Sequence, residues 1–332
     1  MKAGWNLGNT LDAMPGETSW GQPYTTREMI DALRGLGFGL IRIPVSWGGH
    51  TSGAPDYRIE PEWLDRVETV VGWALDAGLR VIINSHHDND YYYPSPENAE
   101  NAVSFMRSIW TQLAKRFSDY DARLIFESMN EPRLAGTAQE WVFDENNPDC
   151  KEAARVIALC NQTCVDAVRE AGGRNFARMI MVPPYAASPS AAMSNTFSLP
   201  EDPSGRVLLS VHAYTPYQLC MLGTKKYSEF NDDCRTEISG LMSGLFSRFI
   251  KKGVPVIIGE TGCTNKGNPE ERRKWAEYFF SKACRRGITC VIWDNGEVGV
   301  GEENFGLYDR VSHKIFPESE SYYEGMISGL SK

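Results

Sequence analysis

Eight short apolar runs, separated by helix-like stretches, constrain this chain more than any other feature. The runs are Gly4–Leu7, Leu40–Val45, Leu79–Ser85, Arg123–Asn130, Arg178–Pro183, Val207–His212, Val254–Gly259 and Ile288–Trp293. Most are continuous rather than alternating, as in Arg80-Val81-Ile82-Ile83. A strand buried on both faces needs such a run, and parallel sheets bury both faces. Helices are predicted over Thr26–Leu36, Glu62–Ala77, Ala99–Phe117, Cys150–Ala171, Cys234–Lys252 and Pro269–Arg286. Several are followed by glycine (Gly37, Gly78, Gly172, Gly253, Gly287), the residue that closes a last helical turn most easily. Successive runs start 29 to 55 residues apart, which leaves room for one helix and its loops each time. Length alone would allow two domains. Eight β/α alternations instead predict an α/β chain folded as one closed (β/α)8 TIM barrel over residues 1–332.

Several function classes are excluded early. No Gly-x-Gly-x-x-Gly turn follows the first strand and no phosphate-cradling Gly-rich loop ends in Lys-Ser/Thr, so no nucleotide cofactor is expected. The net charge of −9 offers no basic stripe for a phosphate backbone, which argues against nucleic acid as a partner. No stretch reaches the ~20 apolar residues of a membrane span. The opening Met1-Lys2-Ala3-Gly4-Trp5 lacks the apolar core of a secretory leader. Eight cysteines are too sparse for a disulfide scaffold. Cys160 and Cys164 share one helix face and read as buried free thiols, and Cys220 with Cys234 is the expected pair if any disulfide forms.

In a barrel of this kind the chemistry gathers at the C-terminal ends of the strands. Arg42 lies on the second run. The third ends Asn84-Ser85-His86-His87-Asp88, the fourth Ser128-Met129-Asn130-Glu131-Pro132, the sixth His212-Ala213-Tyr214, the seventh Gly259-Glu260-Thr261 and the eighth Trp293-Asp294-Asn295. Glu131 and Glu260 therefore come from opposite sides of the ring. Two carboxyl groups facing across an aromatic-lined groove suit glycosidic cleavage, in which one protonates the departing oxygen while the other attacks or activates water. Glu127 points to the same side but lies deeper, so it reads as a buried ion-pair partner. His86 and His87 are adjacent on a strand and should face opposite ways, which disfavours joint metal ligation. Trp293 reads as a stacking platform for a sugar ring. Trp20, Trp47, Trp141, Tyr91, Tyr92 and Tyr93 could line further subsites, whereas Trp63, Trp73, Trp110 and Trp275 belong to helical core patterns.

These stretches resemble glycoside hydrolase family 5, the retaining β-glycanases. The resemblance rests on Gly4-Trp5-Asn6-Leu7-Gly8-Asn9-Thr10-Leu11-Asp12, Ile41-Arg42-Ile43-Pro44-Val45, His86-His87-Asp88, Phe126-Glu127-Ser128-Met129-Asn130-Glu131-Pro132, His212-Ala213-Tyr214, Ile257-Ile258-Gly259-Glu260-Thr261-Gly262 and Ile292-Trp293-Asp294-Asn295-Gly296, in that order. Glu17–Pro23 and Asn130–Trp141 look like its broad-specificity bacterial endoglucanase subfamily. The resemblance implies an endo-β-1,4-glucanase acting on cellulose, mixed-linkage β-glucan and xyloglucan, with β-mannanase, xylanase or a non-catalytic glycan-binding barrel as alternatives. It implies Glu131 as acid/base, with a raised pKa, and Glu260 as nucleophile. Arg42, His86, His87, Asn130, His212, Tyr214 and Trp293 match its remaining active-site positions, and Asn9, Asn295 and Trp141 are taken as supporting positions. No metal or other cofactor is implied. The expected partner is a β-1,4-glucan polysaccharide, the expected state a monomer and the expected location secreted or at the cell surface.

Overall fold

The structure, a computed structural model, describes residues 3–332. Met1 and Lys2, which open the expected domain, lie outside the described residues. The strands are β1 (Gly4–Asn6), β2 (Leu40–Ile43), β3 (Arg80–Asn84), β4 (Leu124–Glu127), β5 (Ile180–Val182), β6 (Val207–His212), β7 (Val256–Thr261) and β8 (Thr289–Ile292). Each pairs in parallel with the next, and β8 returns to β1 to close the barrel. The expected (β/α)8 architecture is therefore present.

Helices α1 (Arg27–Gly35), α2 (Pro61–Asp76), α3 (Ala99–Arg116), α4 (Pro148–Glu170), α5 (Pro189–Met193), α6 (Tyr217–Cys220), α7 (Asp232–Arg248), α8 (Pro269–Cys284) and α9 (Glu320–Leu330) surround it. Their apolar faces and the outer strand faces form one continuous buried jacket. Helices α5, α6 and α9 were not expected. The first two are a turn or so long, and Gly325 and Gly329 dilute the helical signal of α9. No helix among the described residues is long and apolar enough to cross a membrane.

Inside the barrel the side chains stack in two layers. The lower is apolar and separate from the jacket: Leu40, Ile82, Ile125, Met181, Leu208, Ile257 and Val291, one from each of β2 to β8. On β1 the place belongs to Gly4, where a Cβ would lie 3.0 Å from both Leu40 and Val291. Two residues further along, the same inward positions become polar: Asn6, Arg42, Asn84, Glu127 and Ser210, all fully buried. Most strands are shorter than expected at this end, although β6 ends at His212 as expected and β7 runs on to Thr261 instead of ending at Gly259. Strand β4 stops at Glu127 rather than Asn130, and β3 at Asn84 rather than Ser85. Past those points the chain leaves the ladder, and single bonds such as Asn130 N to Ser85 O (2.9 Å) hold it at the mouth.

Candidate active site

Arg42 organises the floor of the mouth. Its Nε donates to Glu127 Oε2 (2.7 Å), Nη1 to Glu260 Oε1 (2.8 Å) and Asn6 Oδ1 (3.0 Å), and Nη2 to Asn130 Oδ1 (2.7 Å). A planar guanidinium can serve several acceptors at fixed angles, which an ammonium cannot. Glu127 takes a second hydrogen bond from Ser210 Oγ (2.5 Å), so it is fully engaged as the buried ion-pair partner expected of it.

Glu260 reaches this floor because β7 is irregular. Pairing with β6 runs Val211 to Ile258 and then His212 to Glu260, so Gly259 is an extra residue on the β7 side. Such a bulge re-aims the residues beyond it. Gly259 fits because a Cβ there would sit 3.3 Å from His212 Nε2 and from Ser210 Oγ. Glu260 Oε2 then accepts from Tyr214 Oη (2.9 Å). Glu131, four residues past the end of β4, meets His212 Nδ1 at 2.7 Å through Oε1, and the same nitrogen is 3.6 Å from Glu260 Oε2. One ligand-type atom from each of Glu131, His212 and Glu260 falls within a 4.8 Å cluster. The two carboxyl groups thus face each other across an imidazole.

These contacts set the proton balance. Burial raises the Glu131 pKa, but the hydrogen bond and charge of His212, then Arg133 and Arg42, outweigh it and hold the group below its ordinary value. The expected elevation of Glu131 is therefore not found in the free site. Burial also raises Glu260. His212 and Arg42 offset only part of this and the Glu131 charge adds to it, so Glu260 lies above the usual carboxylate range. His212 is pushed down by burial but lifted further by Glu260 and Glu131, ending above an ordinary histidine. The three titrate as a unit.

His86 and His87 correct an expectation. Strand β3 ends before them, so they do not alternate across it. Their rings meet edge to face at 4.5 Å and both lie near Asp12. Burial drives the His87 pKa down to about 4 and that of His86 well below an ordinary imidazole. His86 also lies parallel to Trp293, with centroids 5.9 Å apart. Asn84 Oδ1 accepts from Val45 N (3.1 Å), so its amide nitrogen faces His86 Nδ1 (3.1 Å) and leaves the proton on Nε2, aimed away. That tautomer can donate Nε2–H to a hydroxyl, and its lone pair, on Nδ1, is taken by Asn84. In the Glu131–His212–Glu260 group, Arg42 pairs with Glu260 (2.8 Å) and His212 with Glu131 (2.7 Å).

The outer candidates divide. Trp20 lies 5.2 Å from the His87 ring, and Trp141 is 58% exposed with the Arg133 guanidinium 4.0 Å over one face. Both can meet a ligand. Trp47 cannot: it is fully buried and donates to Asn84 O (2.8 Å). Tyr92 is buried with its hydroxyl on His86 O (2.8 Å), while Tyr91 stacks on Phe105 and Tyr93 packs on the core. These tyrosines brace the loop. Trp63, Trp110 and Trp275 are buried and Trp73 half-buried, as helix-core residues should be. Asn9 adopts a left-handed backbone (φ 58°) and its backbone N–H donates to Asp12 Oδ2 (3.0 Å), while Asn295 Nδ2 donates to Glu303 O (2.8 Å).

Sequence reasoning missed two acidic residues here. Asp12, buried and raised to about 6, lies 3.9 Å from His87. Glu303, itself at φ 56°, is exposed, and partial desolvation and the charges of Glu260, Glu302 and Glu131 raise its pKa. The signal for Asp12 was its place at the end of the first run's loop. For Glu303 there was none, since a distant loop brings it in.

The chain matches the family Cellulase (glycosyl hydrolase family 5) over residues 7–299. It is 44% identical over 319 residues to endoglucanase A of Ruminococcus albus, covering 93% of this chain and 86% of that one. A glycoside hydrolase 5 lichenase from Caldicellulosiruptor sp. F32, solved with cellotetraose, superposes with a TM-score of 0.95 at 41% identity, over 99% of this chain and 93% of its own. A GH5-4 broad-specificity endoglucanase from Ruminococcus champanellensis, with bound cellotriose, gives 0.91 at 39% identity, over 98% and 95%.

Proposed function

The chain belongs to the cellulases of glycosyl hydrolase family 5 and is an endo-β-1,4-glucanase, and from that premise we propose that it cleaves by retaining double displacement with Glu131 as acid/base and Glu260 as nucleophile. One observation carries the reading: the two carboxyl groups face each other across His212, with oxygens inside a 4.8 Å cluster. Retaining enzymes set these groups ~5–5.5 Å apart, and inverting enzymes ~6.5–9.5 Å to admit a water.

The proton for the departing oxygen lies in the 2.7 Å hydrogen bond between Glu131 and His212. Glu260, ionised and steadied by Arg42 and Tyr214, attacks the anomeric carbon as that proton leaves. Forming the glycosyl ester removes the Glu260 charge. The carboxylate of Glu131 is then easier to hold ionised, and it takes a proton from the water that hydrolyses the ester. Asn130, its Oδ1 fixed by Arg42, presents its amide nitrogen to the sugar 2-hydroxyl. His86 Nε2–H, His87 and Trp293 receive the rest of that sugar ring, and Trp20 and Trp141 extend the binding face. All of residues 1–332 serve as one catalytic domain.

The substrates are cellulose, mixed-linkage β-glucan and xyloglucan, with internal bonds cut by a monomer that is secreted or held at the cell surface. A neutral polysaccharide needs no cationic groove, in keeping with the −9 charge. A panel of carboxymethylcellulose, barley β-glucan, xyloglucan, xylan and glucomannan, with product sizing, tests this. Short oligosaccharides from the first three in a wide early size range are expected. Activity confined to glucomannan or xylan, or release of one small product from chain ends, would overturn the substrate or the endo assignment.

A further inference from the structure

Glu131 stands four residues beyond the end of β4, so no strand ladder holds it. No backbone N–H among the described residues reaches its carbonyl oxygen, and a side chain does so instead. Arg133 Nη1 donates to Glu131 O (3.0 Å), and Nε of the same guanidinium donates to Glu140 Oε1 (3.1 Å). Its central carbon lies 4.0 Å over the middle of the Trp141 ring. One half-buried cation thus touches the acid/base residue, a carboxylate and an aromatic platform at once.

The loop that carries these groups is fixed at several points. It turns at Gly136, which has a left-handed backbone (φ 78°) and donates its N–H to Glu140 Oε2 (3.0 Å), so Glu140 is held at both oxygens. Ala186 N donates to Pro132 O (2.8 Å). The Tyr185 hydroxyl accepts from Leu134 N (3.0 Å) and donates to Gln139 O (2.8 Å). This frame leaves one face of Trp141 open, with Arg133 on the other. Arg133 acts through its charge as well. Burial raises the Glu131 pKa, and Arg133 follows His212 among the groups that outweigh it. A sugar stacked on the open face takes water away from the cation–indole contact, and such contacts strengthen when desolvated. The steadied guanidinium then holds the Glu131 carbonyl more firmly, which a planar fork can do and an ammonium cannot.

We infer that Arg133 is a positioning residue that links a leaving-group sugar stacked on Trp141 to the placement of Glu131 at the scissile oxygen. The inference rests on Glu131 being the acid/base. Trp293 and His86, from the ends of β8 and β3, receive the sugar that Glu260 attacks. Trp141 shares the loop after β4 with Glu131, which protonates the departing oxygen, so a ring on Trp141 belongs to the departing chain. Occupancy of that platform is transmitted through Arg133 to the backbone of the residue that delivers the proton. A leaving group that departs without a proton, and has no sugar to reach Trp141, gains little from this brace.

The test compares two substrates across wild type and folded variants of the full chain. Cellotetraose needs a proton on its leaving oxygen, whereas 2,4-dinitrophenyl β-cellobioside releases a stable anion. In Arg133→Leu, kcat/KM should fall by at least about 10-fold on cellotetraose and by less than about 3-fold on the dinitrophenyl substrate. The alkaline limb of the cellotetraose profile should move to higher pH, because Glu131 keeps its proton longer without the cation. The other charged groups around Glu131, namely His212, Glu260, Arg42, His87 and Glu303, are unaltered in this variant. Arg133→Lys keeps the charge but not the fork, so the limb should stay in place while the rate remains low. Trp141→Ala should also lose activity on cellotetraose, and the double variant Trp141→Ala/Arg133→Leu should lose little more than the worse single one. Glu131→Ala should favour the dinitrophenyl substrate more strongly than any of these. If Glu131→Ala discriminates but Arg133→Leu loses equally on both substrates, or if the Trp141 and Arg133 losses multiply, the role of Arg133 is overturned. If Glu131→Ala itself fails to discriminate, the acid/base assignment falls and the inference falls with it.

Discussion

The two layers inside the barrel differ by two residues along each strand and by everything in their chemistry. Ile82, Ile125, Leu208 and Ile257 fill the lower layer with hydrocarbon, whereas Asn84, Glu127, Ser210 and Gly259 stand directly above them. The lower layer needs only volume and could be refilled with any apolar set of similar size. In the upper layer a buried cation must meet a fixed count of acceptors, and the cost of leaving one charge unpaired exceeds what any single apolar contact supplies. The contrast teaches that one layer secures the fold while the other orients the reaction, and that substitutions should separate the two.

The largest effect expected is in the upper layer. Glu260→Ala should lower kcat on β-glucan by at least about 10⁴-fold, because the attacking atom is gone, while circular dichroism still shows a folded protein. Residual turnover above a few per cent would mean that the nucleophile is elsewhere. Arg42→Met breaks the comparison from the other direction. It strands Glu127 and Glu260 in a dry site, and should cost about 3–5 kcal/mol of stability by denaturant unfolding together with at least about 10²-fold in kcat. In the lower layer, Met181→Ala should cost about 2–5 kcal/mol with kcat/KM nearly unchanged at a temperature where the variant is folded. A large loss of kcat there would show that the layers are not separable.

The smallest effect sharpens the picture of the upper layer. His212 pulls down both Glu131 and Glu260. In His212→Gln both pKa values should rise. The acid form of Glu131 then survives to higher pH and the ionised form of Glu260 appears only at higher pH, so both limbs of the kcat/KM profile move in the alkaline direction. A profile that loses height without moving would make His212 a spacer rather than an electrostatic partner.

Much of this contrast was legible in the chain itself. Continuous runs such as Val81-Ile82-Ile83 fix buried parallel strands, and polar residues interrupting them at Arg42, Glu127 and His212 can only lie where the core ends. What periodicity could not give was any departure from regular strand geometry. The bulge at Gly259 and the early end of β3 decide where Glu260, His86 and His87 point, and neither leaves a mark in the hydrophobic pattern. Loop aromatics were ambiguous for a related reason. Trp47 and Trp141 carry the same ring on similar loops, and only tertiary packing buries the one and leaves the other open. Glu303 comes from a chain segment far in sequence from Glu131 and Glu260, which single-chain spacing does not encode.

The central claim is that Glu260 becomes covalently bonded to the sugar while Glu131 supplies and recovers the proton. Mass mapping of the enzyme after incubation with a 2-deoxy-2-fluoro-β-cellobioside bearing a good leaving group tests it most directly. The fluorine slows breakdown of the ester more than it slows departure of an activated leaving group, so the intermediate accumulates. The predicted result is one added glycosyl unit on the peptide holding Glu260. A label on Glu131 or Glu127, or no adduct with release of the α-anomer, would contradict it.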